Sequence, residues 1–123
     1  MENIESILTS IKKLLGIDEK DTHFDPDIIM DINSVFSILT QMGVGPSKGF
    51  SIMDEDAEWK DFLESDPDKF SMVRSYMHLK VKLLFDPPLS GAAIEAIKEQ
   101  IKELEWRLFE EADIVNNSGE GEN

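Results

Sequence analysis

A chain of 123 residues is sized for one hydrophobic core, and an apolar fraction of 41% excludes both a disordered polymer and a membrane-embedded one. Twenty-six Asp and Glu against twelve Lys and Arg give a formal charge of −14, which argues against nucleic-acid binding, because a duplex is held by Lys and Arg that displace condensed counterions. The absence of cysteine removes disulfides, thiolate metal sites and thiol nucleophiles together and fits a reducing cytoplasm.

The opening Met1-Glu2-Asn3-Ile4-Glu5 lacks the basic, apolar, small-residue order of a secretory signal, so the protein is expected to stay where it is made. Ile4, Ile7, Leu8, Ile11, Leu14 and Leu15 follow at helical spacing and predict an amphipathic first helix that Gly16 stops. A polar loop leads to Asp25-Pro26, where Asp can cap and Pro can occupy the first turn. The second helix is expected to run to about Met42 on a stripe of Ile28, Ile32, Val35, Leu39 and Met42, with Ile29 and Phe36 as its shoulder.

Gly43-Val44-Gly45-Pro46-Ser47-Lys48-Gly49 cannot continue a helix and predicts a structured loop that positions Phe50, with a short strand at Phe50-Ser51-Ile52-Met53. Asp54-Glu55-Asp56 suit the positive end of a short third helix with Trp59, Phe62 and Leu63 inside, ending by Ser65. Asp66-Pro67 repeats the start signal for a fourth helix to about Phe85. Its later part alternates like a strand, but Phe70, Val73, Met77 and Leu84, with Tyr76 and Val81, have helical spacing, and Pro87-Pro88 stops it. Apolar residues around much of its circumference mark it as the central helix. Ser90 is the expected cap of the fifth, whose seam of Ile94, Ile97, Ile101, Leu104 and Leu108 reaches about Asp113. The fold class predicted is all-α, a small bundle of about five helices in one domain over residues 1–113, followed by a flexible acidic tail over 114–123.

No catalytic pattern survives inspection. The glycine loop has neither the spacing nor the terminal Gly-Lys-Ser/Thr of a phosphate-binding loop, and Gly43-x-Gly45 lacks the third glycine of a dinucleotide fingerprint. Asp54, Asp56 and Glu58 alternate like calcium ligands, but Trp59 stands where the turn glycine is required and Ser65 where the bidentate Glu is required. His23 and His78 each lack the partners of a zinc site. Glu95, Glu99 and Glu103 invite a magnesium reading, yet they fall outside the heptad seam beside Lys98, Lys102 and Arg107, as an ion-paired solvated face would. No catalytic, metal or cofactor residue is therefore assigned, and the chain is read as a non-enzyme.

The features left over are surfaces. Trp106 falls opposite the seam with Phe109 on its flank, and Ile114 and Val115 extend the strip, so either another helix covers these residues or they anchor a partner. Arg74, Lys80 and Lys82 concentrate positive charge on the fourth helix of an acidic chain, which suits contact between subunits of a ring or pairing within the chain.

Taken in order, Ile11-Lys12-Lys13-Leu14-Leu15-Gly16-Ile17, Phe24-Asp25-Pro26, Met42-Gly43-Val44-Gly45-Pro46, Gly49-Phe50 and Leu84-Phe85-Asp86-Pro87-Pro88 resemble the small head–tail connector proteins of long-tailed bacteriophages, over roughly residues 7–113. The resemblance implies a structural virion protein, made in the bacterial cytoplasm, that forms a homo-oligomeric ring at the head–tail junction. It further implies binding to the portal, a docking surface for a tail or stopper protein, and a channel whose acidic wall lets DNA pass unheld, with no membrane partner. By position it places portal contact at Trp106, Phe109, Ile114 and Val115, with Gly43, Gly45, Pro46 and Phe50 as a shared loop. Two other classes compete: an acidic inhibitor or DNA mimic that binds a DNA-handling enzyme, suggested by charge and size, and a metal-dependent nucleotide hydrolase built on the glutamate series.

Overall fold

The computed structural model describes residues 6–63 and 69–121, with side chains described as far as residue 110. Five helices occur among the described residues: α1 (Ile7–Leu15), α2 (Asp25–Gln41), α3 (Trp59–Leu63), α4 (Phe70–Phe85) and α5 (Gly91–Gly121). The all-α class holds, and α4 is the central helix, packing on α1, α2 and α5.

Ser6 starts α1, its Oγ accepting the Thr9 N–H at 3.2 Å and donating to the Glu55 carbonyl at 2.8 Å. The Ile7 N–H reaches the Ala57 carbonyl at 3.0 Å, so the start of α1 is tied to the segment before α3. Gly16 ends the helix at φ 82°, its N–H bonded to Lys13 O and that of Ile17 to Lys12 O, as an αL cap requires. Ile7, Leu8 and Ile11 are buried as the spacing predicts, but Leu14 is exposed. Lys12 is buried in its place. Its ammonium lies 2.8 Å from Asp25 Oδ1 and donates to the Glu19 carbonyl at 3.0 Å. Asp25 is thus not the cap of α2: Phe24 holds that position with no side-chain bond, and Asp25 sits inside the first turn facing the Lys12 charge.

The expected strand at 50–53 is absent; the described residues contain only an isolated bridge between Ser6 and Glu58. Asn33 replaces a strand partner. Its Oδ1 accepts the Ile52 N–H at 2.8 Å and its Nδ2 donates to the Ile52 carbonyl at 2.9 Å, satisfying both backbone groups from one side chain on α2. The acids at 54–56 make a turn rather than a helix, with Asp54 Oδ1 accepting the Asp56 N–H at 2.9 Å, and α3 begins only at Trp59. Asp66-Pro67 and the expected end at Ser65 lie outside the described residues.

Trp59, Phe62 and Leu63 are buried, joining α3 to a ring cluster in which Phe36 lies 4.7 Å from Phe62 and 5.0 Å from Phe50 between centroids. Such pairs add about 0.5–1.5 kcal/mol each beyond the area they bury. Trp59 Nε1 donates to Ser10 Oγ at 2.8 Å, so the indole is satisfied inside the core. Ser90 caps α5, accepting the Ala93 N–H at 3.2 Å, and the helix continues to Gly121, past the expected boundary at Asp113.

Candidate partner-binding surface

The α5 seam packs on α4 with Ile101 and Leu108 buried and Ile97 and Leu104 half-buried against the core. Tyr76 on α4 donates its hydroxyl to Glu105 Oε2 at 2.8 Å. Beside that bond, Ser71, Ser75 and His78 of α4 and Gln100, Glu103 and Arg107 of α5 line one groove between the two helices. Burial first, then the Glu105 carboxylate, pushes the Tyr76 phenol well above its ordinary range and keeps it a donor.

On the opposite side of α5, Trp106 is 63% exposed and Phe109 56%. No other described element covers them, so the reading in which another helix packs over this side is set aside. Ile114 and Val115 lie on the continuation of α5, and their side chains are outside the described residues. The glutamate series on the same helix is ion-paired: Lys98 lies 3.8 Å from Glu95, Lys102 4.0 Å from Glu99 and Arg107 2.7 Å from Glu103. Among the described residues no group of three acids or histidines is placed to hold a metal.

The cations of α4 have partners within the chain. Arg74 stacks 4.9 Å above the Phe70 ring, Lys80 lies 6.0 Å from the Tyr76 ring centroid and Lys82 is 3.7 Å from Asp86. Beside them His78 is half-buried; burial and then the Lys82 charge lower its pKa from 6.5, with the Leu14 backbone opposing. His23 packs edge-on against Phe24 at 4.8 Å.

The loop after α2 is folded onto the core. Gly43 and Gly45 have φ of 87° and 86°, a side chain at Gly45 would overlap the Phe62 ring, and Phe50 rests on Phe36 and Phe62. Pro46 accepts the Gly49 N–H at 3.0 Å, closing the turn.

Sequence reasoning missed a second surface. Leu84, read as core, is 57% exposed, and with Met30 and Phe24 it lines a groove between the end of α4 and the start of α2. The only signal was negative: Met30 lies off the α2 stripe and Phe24 stands in a polar loop.

A model of the phage connector protein family matches residues 7–114, the chain from the first residue of α1 into the extension of α5. The chain belongs to that family. Neither the curated proteins nor the solved structures gave a match. This phage connector protein is accordingly a structural component of a virion, and the matched span includes Trp106, Phe109, Ile114 and the α4 cations, while Val115 falls just beyond it. Among its described residues no helix is long and apolar enough to cross a membrane.

Proposed function

We propose that this connector protein forms a homo-oligomeric ring at the head–tail junction, binds the portal through the outer face of α5, and offers a tail or stopper protein its docking surface. The observation that carries the reading is the exposure of Trp106 and Phe109 on the outer side of α5. Aromatic rings supply much of the energy of protein interfaces, each burying about 150–250 Å² when covered. Ile114 and Val115 extend that contact along the helix. Arg74, Lys80 and Lys82 are assigned to the neighbouring subunit, where half-exposed cations on an acidic chain meet the acids of the next copy. A wall of net negative charge repels DNA phosphates, so DNA moves through the ring without being held.

Electron microscopy of the purified chain with and without portal tests the assembly; an annulus on the portal is expected. Trp106→Ala with removal of residues 114–123 should leave the bundle folded, its helical circular dichroism lowered only by the part of α5 removed, and abolish portal attachment. Unchanged attachment would refute the α5 assignment, and particles without annular density would refute the ring.

A further inference from the structure

Phe24, Met30 and Leu84, with exposures of 39, 62 and 57%, line a groove of about 710 Å³ at the end of the bundle where α1 and α4 finish and α2 begins. Along α4 it lies about 12 Å from Tyr76, which bonds Glu105, at about 1.5 Å per residue, so it is separate from Trp106 and Phe109 on the outer side of α5. Three acids rim it: Asp27, Asp31 and Asp86. Asp86 has Lys82 at 3.7 Å. Asp27 and Asp31 stand one turn apart on the same face of α2, and among the described residues no cation lies within ion-pair distance of either. Burial and then the Asp27 charge raise the Asp31 carboxyl above its ordinary pKa, so the pair is held in mutual repulsion.

An occupant must therefore supply apolar surface to the floor and positive charge to the rim. Nucleic acid and anionic lipid headgroups fail the second requirement. A second copy also fits poorly: its exposed aromatic face carries Glu95, Glu99, Glu103 and Glu110 against Lys98, Lys102 and Arg107, and the rings beside its α4 cations, Phe70 and Tyr76, are half-buried and buried. We infer that the Phe24–Met30–Leu84 groove docks a segment of a different protein in which Lys or Arg side chains flank a bulky apolar one. The inference rests on the connector reading only for where that protein is found, in the neck of the virion; the recognition chemistry stands on the groove alone.

The test is an amide and methyl NMR titration of the full chain with a capped heptapeptide, KLLKWLK, beside its all-glutamine counterpart QLLQWLQ. Saturable shifts centred on Phe24, Met30 and Leu84 are expected, with affinity falling about tenfold in Asp27→Asn with Asp31→Asn, as loss of two charge pairs at the rim of the groove would give. Glu95→Gln with Glu99→Gln removes the same charge from α5 and should change affinity less than about twofold. Equal losses in the two double variants would overturn the proposal, since the peptide would then be a counterion of the whole acidic surface. Equal binding of the glutamine peptide would overturn it too, as would concentration-dependent broadening at the groove without peptide, which would assign it to a second copy. Spectra unchanged away from the groove verify that the variants fold, and none of these outcomes alters the annulus sought on the portal.

Discussion

Burying the Lys12 ammonium removes it from water, and two oxygens replace its hydration, Asp25 Oδ1 and the Glu19 carbonyl. The Asp25 contact is a close charge pair rather than an aligned hydrogen bond, since its Oδ1 has no hydrogen-bond partner. The two ends of the pair are unequally hidden, with side-chain exposures of 3% for Lys12 and 20% for Asp25. Asp25→Asn should therefore destabilise more, by about 3 kcal/mol in urea unfolding, than Lys12→Met, which leaves a carboxylate that water can reach. Equal losses would contradict this. His78 gives a pH dependence whose sign is determined. Its folded pKa lies below 6.5, so between the two values the unfolded chain binds more protons, and the contribution to stability present above 6.5 is lost as pH falls through the folded pKa. In His78→Gln the drop in stability between pH 7 and about 5 should be smaller than in the parent; an identical profile would remove His78 as the source.

At the scale of elements, the loop between α2 and α3 is the part that backbone bonding alone does not hold. Asn33 holds Ile52 by both its polar groups, and Gly45 lets the chain pass against Phe62. Gly45→Ala meets both a positive φ and the ring, and should cost about 2–4 kcal/mol. Gly49, at φ 97° with nothing within 4 Å of an added Cβ, should lose only about 1 kcal/mol on the same change. Thermal unfolding of the two variants side by side checks this, and comparable shifts would mean that Phe62 moves aside. The helices themselves follow local rules: Ser6 and Ser90 as caps, Gly16 as an αL stop, and apolar spacing that prevails over the strand-like alternation late in α4.

For the whole molecule, the core and the outer face of α5 are separate. Ile101 and Leu108 hold α5 to α4, whereas Trp106 and Phe109 face away. Trp106→Ala with Phe109→Ala should thus change unfolding free energy by less than about 1 kcal/mol while weakening assembly. A large loss of monomer stability would show that these rings serve the fold instead.

The sequence by itself determined the helical class, the order of the helices, the α5 seam, the ion-paired glutamates and the place of Trp106 opposite the seam, because each depends on residues three or four apart on one helix, whereas the exposure of Trp106 was decided by packing. Tertiary structure decided what depends on distant segments. It buried Lys12 and exposed Leu14 on one short helix, since the charge of Asp25 and the carbonyl of Glu19 arrive there from beyond the turn. It replaced a strand with the side chain of Asn33, and it gathered Phe24, Met30 and Leu84 into one groove from segments that periodicity treats separately. A helical repeat specifies which residues share a face; only packing determines whether that face meets another helix, a buried charge or water.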